Sequence, residues 1–166
     1  MESLPHPSPI TAHQKRLTGA RTTPFVGREP EVAALTERME AASRGEGGIV
    51  LLSGEPGVGK TRLMSEAAAY AQSQGRLVLL GRAYDSEGMP PYLPFSEALQ
   101  DYVRLCPVED LKAQLGDGAS EVAALLREVK RRLPDVPASV PLDAASERYR
   151  LFESVSEFLL NIARAT

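Results

Sequence analysis

The fold is decided by the stretch Gly54-Glu55-Pro56-Gly57-Val58-Gly59-Lys60-Thr61. It matches the pattern G-x-x-x-x-G-K-[ST] at every fixed position. An apolar run at 49–52 precedes it and predicts a buried strand, and the pattern at 62–74 predicts a helix. In such a strand–loop–helix setting, backbone N–H groups and the helix N-terminus converge on an anion. The sequence therefore predicts a loop that holds the phosphates of a nucleoside triphosphate.

The residue types of this loop match the chemistry of phosphate binding. Its glycines allow backbone conformations that a Cβ would obstruct. The Lys60 ammonium would reach the β- and γ-phosphates, and the Thr61 hydroxyl would be a ligand of Mg²⁺. A Gly-rich turn without a ligand is the alternative, which the agreement of the whole pattern and both flanks disfavours. The predicted cofactor-binding residues here are Gly54, Glu55, Pro56, Gly57, Val58, Gly59, Lys60, Thr61 and Arg62.

Composition indicates a soluble protein with one globular domain. The chain has 166 residues, of which 43% are hydrophobic and 25% charged, enough for a core. A net charge of -3 gives no reason to expect nucleic acid or an anionic membrane as a partner. Cys106 is the only cysteine, so an internal disulfide is excluded. With no apolar run of membrane-spanning length and no signal-peptide pattern, we expect a cytoplasmic protein.

The pattern along the chain predicts an α/β domain at 24–166, preceded by a disordered tail at 1–23. The tail is rich in proline and lacks apolar periodicity, and three Lys/Arg residues are too few to favour a basic nucleic-acid-binding arm. Strand, helix and strand in close succession predict a βαβ unit with two parallel strands and a right-handed crossover. Helices are predicted at 31–44, 62–74, 95–105, 107–115, 121–133 and 143–163, and strands at 49–53 and 76–81.

Three finer expectations concern the second half of the chain. Ser120 and Asp143 are expected to cap the helices that follow them. Basic residues cluster near 127–132, where cations suit a helix C-terminus, so a solvated face is favoured over a functional patch. The predicted apolar face of the last helix consists of Tyr149, Phe152, Val155, Leu159 and Ile162.

A second motif, Phe25-Val26-Gly27-Arg28-Glu29-Pro30-Glu31, lies upstream of the phosphate loop. Alone, the segment is as consistent with a strand end followed by a turn and a helix start as it is with a functional motif. Together the two motifs resemble the AAA+-like ATPases of the STAND class, whose nucleotide domain opens with two hydrophobic residues and Gly-Arg-Glu-x-Glu. This resemblance implies that Val26 and Arg28 bind the nucleotide on its adenine side. Arg28 would supply charge and a flat face for stacking.

Further segments resemble bacterial multidomain regulators. In those proteins such an ATPase domain is joined to a LuxR-type DNA-binding domain or follows a nucleotide cyclase domain. The resemblance covers about residues 24–165 and implies ATP and Mg²⁺ as cofactors, with roles in signal transduction and transcription regulation. It also implies contacts with the remainder of a larger regulator or with a second copy. The segments that carry it are 53–63, 81–84, 90–95 and 147–152.

The sequence lacks a pattern for the apolar, acid-ended strand (Walker B) that holds Mg²⁺ and positions the attacking water. Asp85 follows the second predicted strand but is best interpreted as an ordinary loop residue, and Glu87, Asp101 and Asp117 have less claim. We therefore assign no catalytic residue. By resemblance, the Walker B strand would begin near Thr166, so we expect an N-terminal part of the domain that binds ATP but hydrolyses it poorly alone.

The same resemblance bears on the sheet. In the family's strand order 5-1-4-3-2, the two strands predicted here are not neighbours. Either they pair directly in a reduced, incomplete sheet, or the domain needs the rest of a larger protein.

Two other functions stay open. A compact kinase would transfer phosphate to a small molecule, but it also needs an acceptor site and an arginine-bearing lid, and the Gly-Arg-Glu segment argues against it. A module without nucleotide would use its amphipathic helices to bind partners, and the intact phosphate loop argues against that function.

Overall fold

The computed structural model describes residues 26–84 and 88–165. The predicted tail at 1–23 lies outside the described residues, as do Phe25, Asp85 and Glu87. One compact unit ends at Val78 and another begins at Leu79. The described helices are α1 (Glu29–Ser43), α2 (Lys60–Ser73), α3 (Leu93–Leu105), α4 (Val108–Leu115), a 3₁₀ turn (Gly116–Gly118), α5 (Ala119–Leu125), α6 (Arg127–Arg132) and α7 (Ala144–Ala165).

The first unit contains α1 and α2, packed against each other. Pro30 stands in the first turn of α1, where its missing N–H and fixed φ are compatible with a helix. Small side chains allow the close packing, since Ala41 of α1 and Ala68 and Ala71 of α2 are all buried. The Tyr70 hydroxyl also donates to a Glu40 carboxylate oxygen at 3.4 Å. This pair of helices is the scaffold on which the phosphate loop lies.

The second unit is a helical cluster built around α7. Phe158 and Ile162 of this helix are almost fully buried against α4, α5 and the 3₁₀ turn. A Cβ at Gly118 would lie 2.8 Å from the Ser154 Cβ, so glycine permits the close contact between turn and helix. The Tyr102 hydroxyl donates to the Gln114 side-chain oxygen at 2.9 Å, and burial raises the pKa of Tyr102 well above its ordinary value. These two buried polar side chains thus satisfy each other inside the core.

The described residues do not support the predicted two-stranded sheet. Neither 49–53 nor 76–81 is a strand, and the described chain is helical. Ile49 is 91% exposed and Leu51 is 88% exposed, so the apolar run is not buried. A strand is defined by its pairing with a neighbour, and these two segments do not pair directly. The expectation of a reduced sheet formed by the two segments alone is therefore wrong for this part of the chain.

The helix predicted at 121–133 is two helices. Leu126 separates α5 from α6 and has an extended backbone (φ -114°, ψ 95°). The Ser120 hydroxyl donates to Glu121 at 2.7 Å and does not cap the backbone, so that prediction is wrong. The cations at the end of α6 bind carbonyl groups: Lys130 donates to Pro134 at 2.9 Å, and Arg132 donates to Val103 and Cys106.

The predicted apolar face of the last helix is only partly correct. Ile162 is buried, but Tyr149 is 67% exposed and Phe152 is 50% exposed. Phe158, which that face omits, is the largest fully buried side chain among the described residues. The helix is therefore rotated about its axis relative to the prediction.

The predicted cap of α7 is confirmed. One Asp143 carboxylate oxygen accepts hydrogen bonds from the backbone N–H groups of Ala145 and Ser146, each at 3.1 Å. A Glu147 oxygen accepts one from the N–H of Leu142, also at 3.1 Å. These reciprocal bonds satisfy donors that the helix itself leaves unpaired.

We expect Asp143→Ala to lower the urea midpoint of unfolding at pH 7, and Asp143→Asn to preserve most of it, because asparagine also caps helices. The hydrogen bond from the Ser146 hydroxyl, with those from the backbone, lowers the pKa of Asp143. Because the folded pKa is the lower one, the carboxylate stabilises the fold fully above its unfolded pKa of about 3.9 and progressively less as the pH falls through the folded value. The difference in stability between the unaltered chain and the Asp143→Asn variant should therefore shrink below about pH 4. A pH-independent difference, measured by circular dichroism, would contradict the assigned cap.

Candidate nucleotide-binding site

The phosphate loop runs from Gly54 into the first turn of α2. Gly57 has φ +82° and Gly59 has φ +94°, in the left-handed region that favours glycine. Gly59 is the residue immediately before α2, which begins at Lys60. The two glycines therefore turn the chain sharply so that the loop wraps round the start of the helix.

The N-terminus of α2 is available to an anion. No side chain caps it, and its first turn contains no acidic residue. Thr61, in that first turn, is exposed. The first N–H groups of a helix lack partners within the helix and lie at the positive end of its dipole. An anion at this position would supply the missing acceptors.

Lys60 reaches back over the loop. Its ammonium donates to the carbonyl oxygen of Gly54 at 2.7 Å and to that of Glu55 at 2.9 Å. Both acceptors are neutral, so neither of them balances the positive charge inside the curve of the loop. Arg62 differs, because its guanidinium pairs with Glu66 at 2.9 Å one turn further along α2.

The second motif lies against the phosphate loop. The Arg28 guanidinium donates to the carbonyl oxygen of Val58 at 3.0 Å, across thirty positions of sequence. Its other terminal nitrogen binds Glu31 at 2.6 Å, and this hydrogen bond is the main cause of a lowered pKa for Glu31. Glu31 therefore orients Arg28. Sequence reasoning gave Glu31 no such role, although its spacing three residues after Arg28 at a helix start was a usable signal.

Val26, the other residue predicted on the adenine side, is 75% exposed at the start of the described chain. Gly27 next to it has φ +75° and donates its N–H to a Glu29 carboxylate oxygen at 3.2 Å. An exposed apolar side chain beside a fixed turn is consistent with contact to a flat base. The structure thus places Val26, Arg28 and the loop residues 54–62 in one unit.

Acidic residues contribute little to this site. Asp101 and Asp117, the weaker catalytic candidates, belong to the other unit. In the described ranges 26–84 and 88–165, no three His, Cys, Asp or Glu side chains are grouped as a metal site requires. Mg²⁺ fits this site as a partner of the nucleotide, since it usually retains waters and binds phosphate oxygens with only one or two protein ligands. Thr61 would be that ligand.

The loop geometry, the open helix N-terminus and the central ammonium define a P-loop nucleotide-binding site. A comparison with protein families agrees: the sequence profile of the AAA ATPase domain matches residues 24–166, and the chain belongs to that family. No curated protein and no solved structure matched the chain. Among the described residues, no helix is both long and apolar enough to cross a membrane. Family and site together identify an AAA-type P-loop NTPase domain, a class that binds nucleotides.

We expect Gly59→Ala to loosen the loop, because a left-handed conformation costs an L-residue about 1–2 kcal/mol. A Cβ at Gly59 would meet nothing within 4 Å, so the effect is conformational and not a clash. Hydrogen exchange, measured by mass spectrometry on peptides covering 54–63, should become about 5- to 30-fold faster. Gly47→Ala is the matched control, since Gly47 has no positive φ and equal free space. Equal exchange rates in the two variants would contradict the left-handed backbone conformation of Gly59.

Proposed function

We propose that this chain binds ATP with Mg²⁺ as the nucleotide-binding part of a cytoplasmic, STAND-like regulatory ATPase. One observation carries the proposal: Arg28 of the Gly-Arg-Glu motif donates to the Val58 carbonyl of the phosphate loop at 3.0 Å. This contact joins the two motifs that the resemblance assigns to opposite ends of one nucleotide. The partners of the chain would be ATP, ADP and the further domains of the regulator or a second copy.

Each residue near the loop has a definable task in this proposal. The Lys60 ammonium, now on the carbonyls of Gly54 and Glu55, would exchange them for phosphate oxygens and form stronger, charge-assisted bonds. The N–H groups at the start of α2 would bind the same phosphates. Arg28, held by Glu31, would contact the nucleotide near the adenine side, and exposed Val26 would cover the base.

In this proposal ATP regulates the protein by binding to it, and its hydrolysis is not required. Hydrolysis needs an acidic group that holds Mg²⁺ and orients the attacking water. None of the described segments is a strand that ends in paired acids: Glu109 and Asp110 follow an apolar run at 105–108, but they lie in helix α4 of the other unit. In the second motif, Glu31 is paired with Arg28. Bound ATP or ADP would then bias the arrangement of attached domains through their different contacts.

Calorimetric titration with Mg-ATP tests the site. We expect Lys60→Ala to weaken binding about 10- to 100-fold, because it removes charge-assisted bonds to phosphate. Arg28→Ala should weaken binding about 3- to 10-fold, since its contact is partly exposed. Arg38→Ala, on the exposed surface of the same helix α1, should change nothing and controls for overall charge. Binding that withstands Lys60→Ala would rule out the phosphate loop as the site, and binding that withstands Arg28→Ala would rule out the role of the second motif.

Phosphate release from saturating Mg-ATP tests the claim of slow turnover. We expect the purified chain to release phosphate no faster than its Lys60→Ala variant, which serves as the background. Turnover well above that background would show that this chain contains a complete catalytic site. Labelled phosphate transferred to a small acceptor instead of water would favour a kinase.

A further inference from the structure

The unit that begins at Leu79 contains a cavity of its own, with a volume of about 940 Å³. Its walls come from the segment before α3, the junction of α5 and α6, and the first turns of α7. Cavities of about 300–1,000 Å³ with a few convergent polar groups are typical sites for small organic molecules. The phosphate loop belongs to the other unit, so the nucleotide proposal does not account for this cavity.

The cavity wall is rich in arginine. Arg127, Arg148 and Arg150 all line it, together with two glutamates, Glu121 and Glu147. The carboxylates already have donors. Glu121 accepts from Ser120 at 2.7 Å and from Ser139 at 3.0 Å, and it lies 3.6 Å from Arg150; Glu147 accepts from the backbone at the start of α7.

The charge of Glu121 is stable in this setting. Burial by itself would raise the pKa of Glu121, but the hydrogen bonds from Ser120, the backbone and Ser139, with the charge of Arg150, outweigh burial and lower it. Glu121 is therefore a fixed anion that anchors Arg150. It is not a proton donor to a ligand.

Donors in the same wall are left without acceptors. The Nε of Arg150 is buried and has no hydrogen-bond partner among the described residues, although its terminal nitrogen binds Ser139 and Val140. The side chains of Arg127 and Arg148 are exposed and form no hydrogen bond or ion pair with any described residue. A guanidinium presents a planar fork of N–H donors that matches a carboxylate or phosphate group. The unmatched donors therefore favour an anion.

The rest of the wall is apolar and includes a strained residue. Leu93, Leu125, Leu151 and neighbouring prolines line the cavity beside the arginines. Tyr92, also in the wall, has φ +60°, the only positive φ among the described residues other than glycine, and its ring meets the Phe152 ring edge-on at 5.5 Å. Strained backbone of this kind is concentrated at ligand sites.

We propose that this cavity is a second binding site, which takes a small amphipathic organic anion. The carboxylate or phosphate of the ligand pairs with the guanidinium groups of Arg127 and Arg148, and the charge of Arg150 in the same wall adds to the attraction. Its hydrocarbon part lies against Leu93, Leu125 and Leu151. The proposal is independent of nucleotide binding and stands if the phosphate loop proves inactive.

The test is a titration of the ¹⁵N-labelled full chain with three probes that share one hydrocarbon part: octanoate, octyl phosphate and neutral octan-1-ol. We expect at least one of the two anions to bind, with chemical-shift changes confined to residues of the cavity wall. Octan-1-ol should bind at least about tenfold more weakly than that anion, since it offers no charge to the arginines.

Arginine variants test whether Arg127 and Arg148 bind the anionic group of the ligand. We expect the double variant Arg127→Gln/Arg148→Gln to weaken binding of the anion about tenfold, and Arg164→Gln, which removes one exposed charge elsewhere on α7, to leave it unchanged. Lys60→Ala should also leave it unchanged. Arg150 is not varied, because it connects α7 to Glu121 and Val140. Absence of binding by both anions, equal binding of octan-1-ol, shifts outside the cavity wall or full binding by the double variant would each overturn the proposal.

Discussion

Backbone hydrogen bonding determines which parts of this chain have regular structure. A helix pairs its N–H and C=O groups within one segment and needs help only at its ends. Here that help comes from side chains: Asp143 caps α7, Lys130 donates to the Pro134 carbonyl just after α6, and Arg132 of α6 donates to carbonyls at the end of α3. A strand cannot satisfy itself in this way, because every one of its pairs requires a second segment. The apolar run at 49–52 has no such neighbour among the described residues and stays exposed.

The same contrast explains which elements sequence reasoning could predict. The helices α1, α2, α3, α4 and α7 follow from their periodicity and end signals, to within two residues of the observed bounds. The two strands were inferred from short apolar runs, and such runs show only that a segment is apolar, not that it is paired. The break at Leu126 was also missed, because residues on both sides keep helical spacing and only tertiary packing separates them.

The rotation of α7 shows a further limit of sequence patterns. This 22-residue helix has apolar residues on more than one stripe, including Tyr149 and Phe152 as well as Phe158 and Ile162. Periodicity alone could not choose between them. In the structure the stripe with Ser154 and Phe158 faces the 3₁₀ turn and α5, and Gly118 leaves room there for Ser154. The left-handed glycines of the phosphate loop follow from its local sequence, whereas the bond from Arg28 to Val58 joins positions thirty residues apart and was not predicted. The resemblance to a family implied only that Arg28 contacts the nucleotide.

The partners of the cations indicate where this protein can attract anions. Two unit charges 4 Å apart interact by about 4 kcal/mol at an effective dielectric constant of 20, and a neutral carbonyl does not cancel a charge in this way. Arg62 and Arg131 face carboxylates, so their charges are largely balanced by Glu66 and Glu128. Lys60 donates to carbonyls, and the cavity arginines 127 and 148 bind no described residue. Positive charge without a counter-ion among the described residues is thus present in the phosphate loop of one unit and in the cavity wall of the other. Because a neutral carbonyl or water can be exchanged for a phosphate or carboxylate with a gain in attraction, both positions favour an anionic ligand.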